Sequence, residues 1–165
     1  MTEQEKVATE TAEAEAPKVE FNLESWKRLY CNSEITESIP WFFEHFDSEH
    51  FTIWFSKYNT PVEMPQRFMV NNLVGGTIQR LDSLSRNGFG SILIFGEQSP
   101  YEIEALWVFT GHELPKEFTD CADTECYDTR KMDLNNEADK VIIKEFLAWE
   151  GDFGGRKNPD GRLFK

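Results

Sequence analysis

Histidine and cysteine are scarce in this chain, at three each among 165 residues. Cys31, Cys121 and Cys126 are an odd number, and the start is too polar and acidic for a signal peptide or a mitochondrial presequence. A disulfide framework is therefore not expected, and a soluble, reducing compartment, the cytosol, is. No apolar run approaches the roughly 20 residues that a spanning helix needs, so no membrane insertion is expected. Phosphate-cradling loops are missing as well. Neither GxxxxGK followed by Ser or Thr nor GxGxxG occurs, so no nucleotide is expected to bind directly. Positive charge is the minority sign: 17 Lys and Arg stand against 30 Asp and Glu, for a net charge of −13. Such a field repels phosphate backbones and disfavours non-specific nucleic-acid binding, while serving solubility.

What is plentiful is aromatic surface, with 14 Phe, 5 Trp and 4 Tyr. Much of it falls between Ile39 and Gly96, where a core must form. Residues 1–20 are the opposite: six Glu and two Lys, with only Val7 and Val19 as sizeable apolar side chains. That segment buries too little to offset chain entropy and reads as a disordered acidic tail or linker. It carries −4 of the charge, leaving −9 on residues 21–165, which read as a single domain.

Periodicity sets out the elements. Leu23, Trp26, Leu29 and Tyr30 recur at helical spacing behind Asn22, a natural N-cap. NSEITES reads as a loop, with Ser38 capping a short helix that has Pro40 in its first turn. Trp41, Phe42, Phe43 and Phe46 are too many aromatics for one face of that helix, so some must meet other elements. From Phe51 to Tyr58 the period changes to two, with Phe51, Ile53 and Phe55 on one side and Thr52, Trp54 and Ser56 on the other. A long helix is predicted from Pro61 or Pro65 to Leu84, with Val70, Leu73, Val74, Ile78, Leu81 and Leu84 as its apolar stripe. Gly75 and Gly76 interrupt it; close packing is the expected reason, and a backbone left bare for a ligand is the alternative.

After a turn at Asn87-Gly88, Phe89 to Phe95 and Ile103 to Phe109 read as strands of an antiparallel hairpin. Ala105, Trp107 and Phe109 share one face of the second strand; Leu106 and Val108 share the other. A fourth strand is predicted near Glu125 to Met132. A last helix follows, capped by Asn136 with Asp139 completing a loose capping box, and burying Val141, Ile142, Phe146 and Trp149. The end of the chain, GDFGGRKNPDGRLFK, is glycine-rich and basic with an apolar tip.

No catalytic constellation stands out. His45 and His50 are five apart and do not align as the pair in HExxH does, so EHFDSEH reads as a polar turn. Cys121, Cys126 and His112 have zinc-like spacing but lack a fourth ligand nearby, so no metal and no cofactor are expected. No GxSxG or related frame surrounds any Ser, and the chain reads as a non-enzyme. The partner-binding candidates are Trp41, Trp54, Arg80, Asp82, Trp149 and Glu150, each with a packed or solvated structural role as its alternative. An RNA-binding module stacking bases on Trp41, Trp54 or Trp107 is the second reading. A hydrolase or transferase using His45 or His112 is the third.

IPWFFEHFDSEHFTIWFSKY, FMVNNLVGGTIQRLDSLSRNGFGSILIFG, ALWVFTGHEL, FLAWEGDF and the terminal GRLFK occur here in order. In that order and spacing the chain resembles the conserved C-terminal domain of the gamma subunit of eukaryotic translation elongation factor one, over Phe21 to Lys165. The resemblance implies an α+β fold, with an antiparallel sheet of about four to five strands, helices packed on it and a concave surface. It implies a non-catalytic, structural or anchoring role through protein–protein contacts in the elongation factor 1 complex. The partners it implies are other subunits of that complex, the ribosome or the cytoskeleton, and RNA. The GST-like half through which the family's gamma subunit holds the beta subunit is absent from this sequence, so that anchoring is not assigned to these residues.

Overall fold

The computed structural model describes residues 21–156 and 159–165; the expected tail, 1–20, lies outside the described residues. Five strands form one antiparallel sheet: β1 (Phe51–Tyr58), β2 (Gly88–Phe95), β3 (Glu102–Thr110), β4 (Tyr127–Lys131) and β5 (Asp160–Phe164). Their order across the sheet is β4-β1-β3-β2-β5. Five helices accompany them: α1 (Leu23–Asn32), α2 (Ile35–His45), α3 (Arg67–Arg80), the single turn α4 (Lys116–Thr119) and α5 (Glu137–Ala148).

The alternation along β3 explains why both faces are covered. Leu106 and Val108 enter one core with Trp26 of α1, Phe42 of α2 and Phe146 of α5. Ile103, Ala105, Trp107 and Phe109 enter the other with Val70 and Val74 of α3 and Phe118 of α4. A central strand buried on both sides has no polar face to spare, and every residue from Ile103 to Phe109 is buried. The hairpin joining β2 to β3 is antiparallel, with Phe89 opposite Val108 and Ile94 opposite Ile103. The first helix is capped as the sequence predicts, Ser25 N–H donating to Asn22 Oδ1 at 2.8 Å. Tyr30 ties α1 to α5 by donating to the Leu147 carbonyl, and burial, with the nearby Cys31, pushes its phenol up to about 12.

Several elements depart from the sequence expectation. The second helix begins at Ile35, behind Glu34, so most of the expected loop is helical. Ile35, Ile39 and Phe42 form a helical stripe that docks on the core and draws Thr36 and Glu37 into its outer face. Ser38 is then no cap but a buried residue whose hydroxyl has no hydrogen-bond partner, and Pro40 sits inside the helix rather than in its first turn. The long helix ends at Arg80. Leu81 and Leu84 are buried by a 3-10 turn over Asp82–Asn87, and Thr77 takes an inner position alongside Val70 and Val74.

Asn136 caps α5 as expected, accepting from the Asp139 N–H at 3.1 Å. The Asp139 carboxylate does not complete a capping box; it takes the Asp133 N–H at 2.9 Å and the Arg130 guanidinium instead. Val141 is 55 % exposed rather than buried, because Ile143 and Leu147 take the inward positions. The glycine-rich end supplies β5, an edge strand unforeseen from its composition, which pairs with β2 from Gly90–Phe164 to Ile94–Asp160. Its Arg162 guanidinium lies 3.0 Å from where a Gly75 Cβ would stand, closer than an ordinary van der Waals contact. Gly75 therefore lets an arginine lie flat on α3, and Gly76 does the same for Arg80. Among the described residues no helix is long and apolar enough to cross a membrane.

Candidate functional site

Strand β1 is eight residues long and β4 only five, and this mismatch opens a cleft. The β4 ladder runs from Tyr58–Tyr127 to Trp54–Lys131. One further bond, Met132 N–H to the Ile53 carbonyl at 2.8 Å, closes it before the chain turns toward α5. Beyond that bond Phe51 and Thr52 are paired with β3 alone and stand at the sheet margin, with Thr52 and Ile53 buried. The end of α2 brings Phe43 and Phe46 to this margin, and α5 brings Lys140, Val141 and Lys144. Together they line a cleft of about 1160 Å³.

The aromatic wall is held from behind. Phe21 meets Phe46 and Phe51 edge-on, both at 5.1 Å between ring centres, and Phe42 lies 5.3 Å from Phe46. The surplus aromatics of α2 thus meet the start of the chain and β1, as their number on one short helix requires. Opposite them the rim is charged. Lys140 lies 3.7 Å from Glu137, and Asp133 accepts from the Asn135 N–H at 2.8 Å. Val141, exposed between the two lysines, is the most solvated aliphatic side chain on this wall.

The polar turn expected from EHFDSEH follows α2. His50 Nδ1 and Asp47 Oδ2 are 2.6 Å apart, and that hydrogen bond holds the Asp47 carboxyl below its usual range despite some desolvation. With Glu49 they form the one group of three metal-type ligands among the described residues, and it is largely exposed. His45 stacks on Trp41 at 4.5 Å and has Nδ1 on the Trp41 carbonyl at 3.0 Å. His112, also on the cleft wall, has Nε2 on the Glu49 carbonyl. The three cysteines are free thiols.

The six candidate partner-binding residues fall in separate places. Trp41 is half-buried on α2 and stacks parallel to Trp26 at 6.4 Å. Trp54 lies on the opposite sheet face, donating to Thr52 Oγ1 at 2.8 Å with the Lys131 ammonium 5.6 Å from its ring. Arg80 pairs with Asp123 at 2.7 Å, and that contact, with the Thr77 hydroxyl, lowers the Asp123 carboxyl despite its partial burial. Asp82 is exposed in the 3-10 turn. Trp149 ends α5 in the left-handed region (φ 59°) and donates to Ser91 Oγ at 2.9 Å, while Glu150 is exposed beside it. None of the six lines the cleft. Trp107, a third stacking candidate, is 3 % exposed and belongs to the core.

The polar contacts that fix the frame had little signal in the sequence. Trp107 Nε1 reaches Ser56 Oγ, and Arg156 reaches Glu104 at 2.9 Å while lying 3.9 Å above the Phe95 ring. Glu104 and Glu102 raise the Arg156 guanidinium against the effect of burial. The partners are about 50 residues apart in the chain and share no local motif.

A single α+β domain, with a five-stranded antiparallel sheet clothed on both faces and a broad cleft of aromatic wall and charged rim at its margin, is the class this arrangement defines. Residues 8–113 match the family described as elongation factor 1 gamma, conserved domain. Elongation factor 1-gamma-A of Xenopus laevis is 40 % identical over 157 residues, covering 92 % of this chain and 36 % of the relative. Elongation factor 1-gamma of Homo sapiens is 38 % identical over the same span. A probable elongation factor 1-gamma of Caenorhabditis elegans is 39 % identical over 152 residues, covering 90 % of this chain. The chain belongs to the elongation factor 1-gamma conserved-domain family. It spans little more than a third of the length of these relatives.

Proposed function

We propose that this chain is a non-catalytic interaction domain of the translation elongation factor 1 complex, supporting peptide-chain elongation through contacts with other subunits. The observation that carries the reading is the cleft beside β1: a broad, open surface with aromatic and aliphatic walls on a rigid sheet. Apolar surface left open in this way favours association with another macromolecule. Family membership supplies the setting, because the relatives are named as elongation factor 1-gamma.

A catalytic reading has less support. Two of the histidines are engaged by backbone carbonyls, and the His50–Asp47 pair lies in an exposed turn rather than in a water-excluding site. RNA stacking is left with Trp41 and Trp54, both half-buried and on opposite faces of the sheet. Affinity purification of the full chain from cell extract, with and without nuclease, tests the proposal. Nuclease-resistant recovery of elongation factor 1 subunits is the expected result. Recovery of RNA without those subunits would favour the nucleic-acid reading.

A further inference from the structure

Strand β4 lies at one edge of the sheet, and its bonds to β1 fix which of its peptide groups look outward. In an antiparallel ladder, residues whose N–H and C=O both face the neighbouring strand alternate with residues whose groups face away from it. The register that sets Lys57 opposite Asp128 and Phe55 opposite Arg130 continues past both ends of β4. There the Asn59 N–H donates to the Cys126 carbonyl at 2.8 Å, and the Met132 N–H to the Ile53 carbonyl at 2.8 Å. Asp128 and Arg130 therefore turn their peptide groups toward β1. Those of Tyr127, Thr129 and Lys131 turn outward, and no backbone partner holds them among the described residues.

An edge of this kind is a template for another strand, and natural sheets usually blunt it with charged side chains. The charges on β4 are arranged so that a second copy is matched rather than repelled. Antiparallel pairing of β4 with itself brings outward groups together when it is centred on Asp128, Thr129 or Arg130. The first centre sets two carboxylates opposite each other, and the last sets two guanidiniums opposite each other. Centring on Thr129 sets each Asp128 opposite the Arg130 of the other copy, and Tyr127 opposite Lys131. Opposite charges across a ladder stabilise it, and like charges destabilise it. Asp128 is exposed and has no ion pair among the described residues, while Arg130 holds Asp139 at 2.9 Å with its side chain still 51 % exposed. In a chain of net charge −13, this strand sets one Asp against Arg130 and Lys131. The nearby acids leave the ladder: Glu125 is in a 3-10 turn, and Asp133 turns back to accept from the Asn135 N–H.

We propose that β4 pairs with the β4 of a second copy of this chain, antiparallel about Thr129, joining two sheets into one across a two-fold axis. Thr129 exchanges both main-chain hydrogen bonds with its counterpart, and Tyr127 does so with Lys131 on either side of it. Asp-Thr-Arg is its own charge complement when read backwards, which favours a second copy over an unrelated strand. The contact is isologous and uses up both β4 edges, so it closes at two copies. It is short, so the dimer is reversible. This pairing goes beyond the subunit contacts proposed above and does not depend on them.

Sedimentation of the full chain at rising concentration, with amide hydrogen exchange on the same samples, tests the pairing. A concentration-dependent dimer is expected. In it the amides of Tyr127, Thr129 and Lys131 exchange slowly, and they exchange freely on dilution, whereas those of Asp128 and Arg130 are slow throughout. Asp128→Lys, at an exposed position, is expected to weaken the dimer about tenfold by setting like charges opposite each other. Thr129→Pro removes an outward N–H and no main-chain bond to β1, and is expected to abolish the dimer, with circular dichroism checking the fold. A monomer up to about 1 mM would overturn the proposal. So would a dimer unaffected by Asp128→Lys, or slowed exchange confined to β5 or α5. The exchange pattern of the parent chain decides the matter if Thr129→Pro fails to fold. Recovery of elongation factor 1 subunits by a chain that stays monomeric sinks the pairing and leaves the interaction domain. Dimerisation without subunit recovery supports the pairing and counts against the complex.

Discussion

Trp107 Nε1 donates to Ser56 Oγ at 3.0 Å, joining the central strand to its neighbour inside the α3-side core. The same hydroxyl lies 2.7 Å from Thr129 Oγ1, so one serine links β3, β1 and β4. Ser56 is 1 % exposed and Trp107 3 %, so water cannot replace the bond. Replacing Ser56 by Ala is expected to cost about 1–3 kcal/mol, the range for stranding a buried donor. Thr129→Val, which leaves Ser56 to serve the indole, is expected to cost about 1 kcal/mol. Urea unfolding followed by Trp fluorescence reads both; equal midpoints for the two variants would contradict the shared-hydroxyl arrangement.

Two glycines give opposite expectations. A Cβ on Gly90 would lie 2.5 Å from the Trp107 ring, which is fixed in the core. A Cβ on Gly76 would meet only the end of the Arg80 side chain, at 3.0 Å. Gly90→Ala is therefore expected to lose about 1–3 kcal/mol through overpacking. Gly76→Ala is expected to gain up to about 1 kcal/mol from helix propensity as Arg80 swings aside. Thermal melts of the pair check the contrast, and a destabilised Gly76→Ala would show that α3 needs that backbone bare.

Arg156 neutralises a buried acid. Glu104 is 5 % exposed, and the guanidinium that serves it also reaches Glu102 at 2.7 Å. Removing the cation alone strands the Glu104 charge, so Arg156→Ala is expected to cost about 3 kcal/mol. Adding Glu104→Gln to that variant is expected to restore part of the loss. A double-mutant cycle in denaturant measures it; additive losses would mean that the two side chains do not act as a pair.

The Asp139 carboxylate gives a pH dependence with a definite sign. Its hydrogen bond with Arg130 is the main reason its proton is held less tightly than usual, opposed by desolvation and aided by the Asp133 N–H. A carboxyl depressed in the folded state stabilises it fully above its unfolded value, about pH 4. That contribution fades as pH falls below about 4, through the folded value. Asp139→Asn is expected to lose about 1–3 kcal/mol at pH 7. The gap to the parent chain is expected to narrow below about pH 4. Denaturant midpoints from pH 7 to pH 2 test this, and a gap that widens with acid would refute the assignment.

Strands with strict alternation were legible from residues alone. FTIWFSKY and IEALWVF declare their faces because every second side chain must enter a core, and the structure places Trp54 and Trp107 on the α3 side accordingly. The edge strand β5 was not legible, since DGRLF carries only two sizeable apolar residues and takes its conformation from pairing with β2. The start of α2 was not legible because Thr36 and Ser38 are poor local helix formers, overruled by the docking of Ile35, Ile39 and Phe42. The cleft was half legible. The surplus of Phe on α2 signalled contacts beyond one helix, but exposure of Val141 depends on which turn of α5 faces the core. That is settled by Ile143 and Leu147, which pack more deeply than pattern alone indicates.

The contact proposed for this domain is with the elongation factor 1 complex. Sedimentation of the purified full chain mixed with each purified elongation factor 1 subunit tests it most directly. A faster-moving complex with at least one subunit is the predicted result. Independent sedimentation with every subunit, across low and physiological salt, would contradict it.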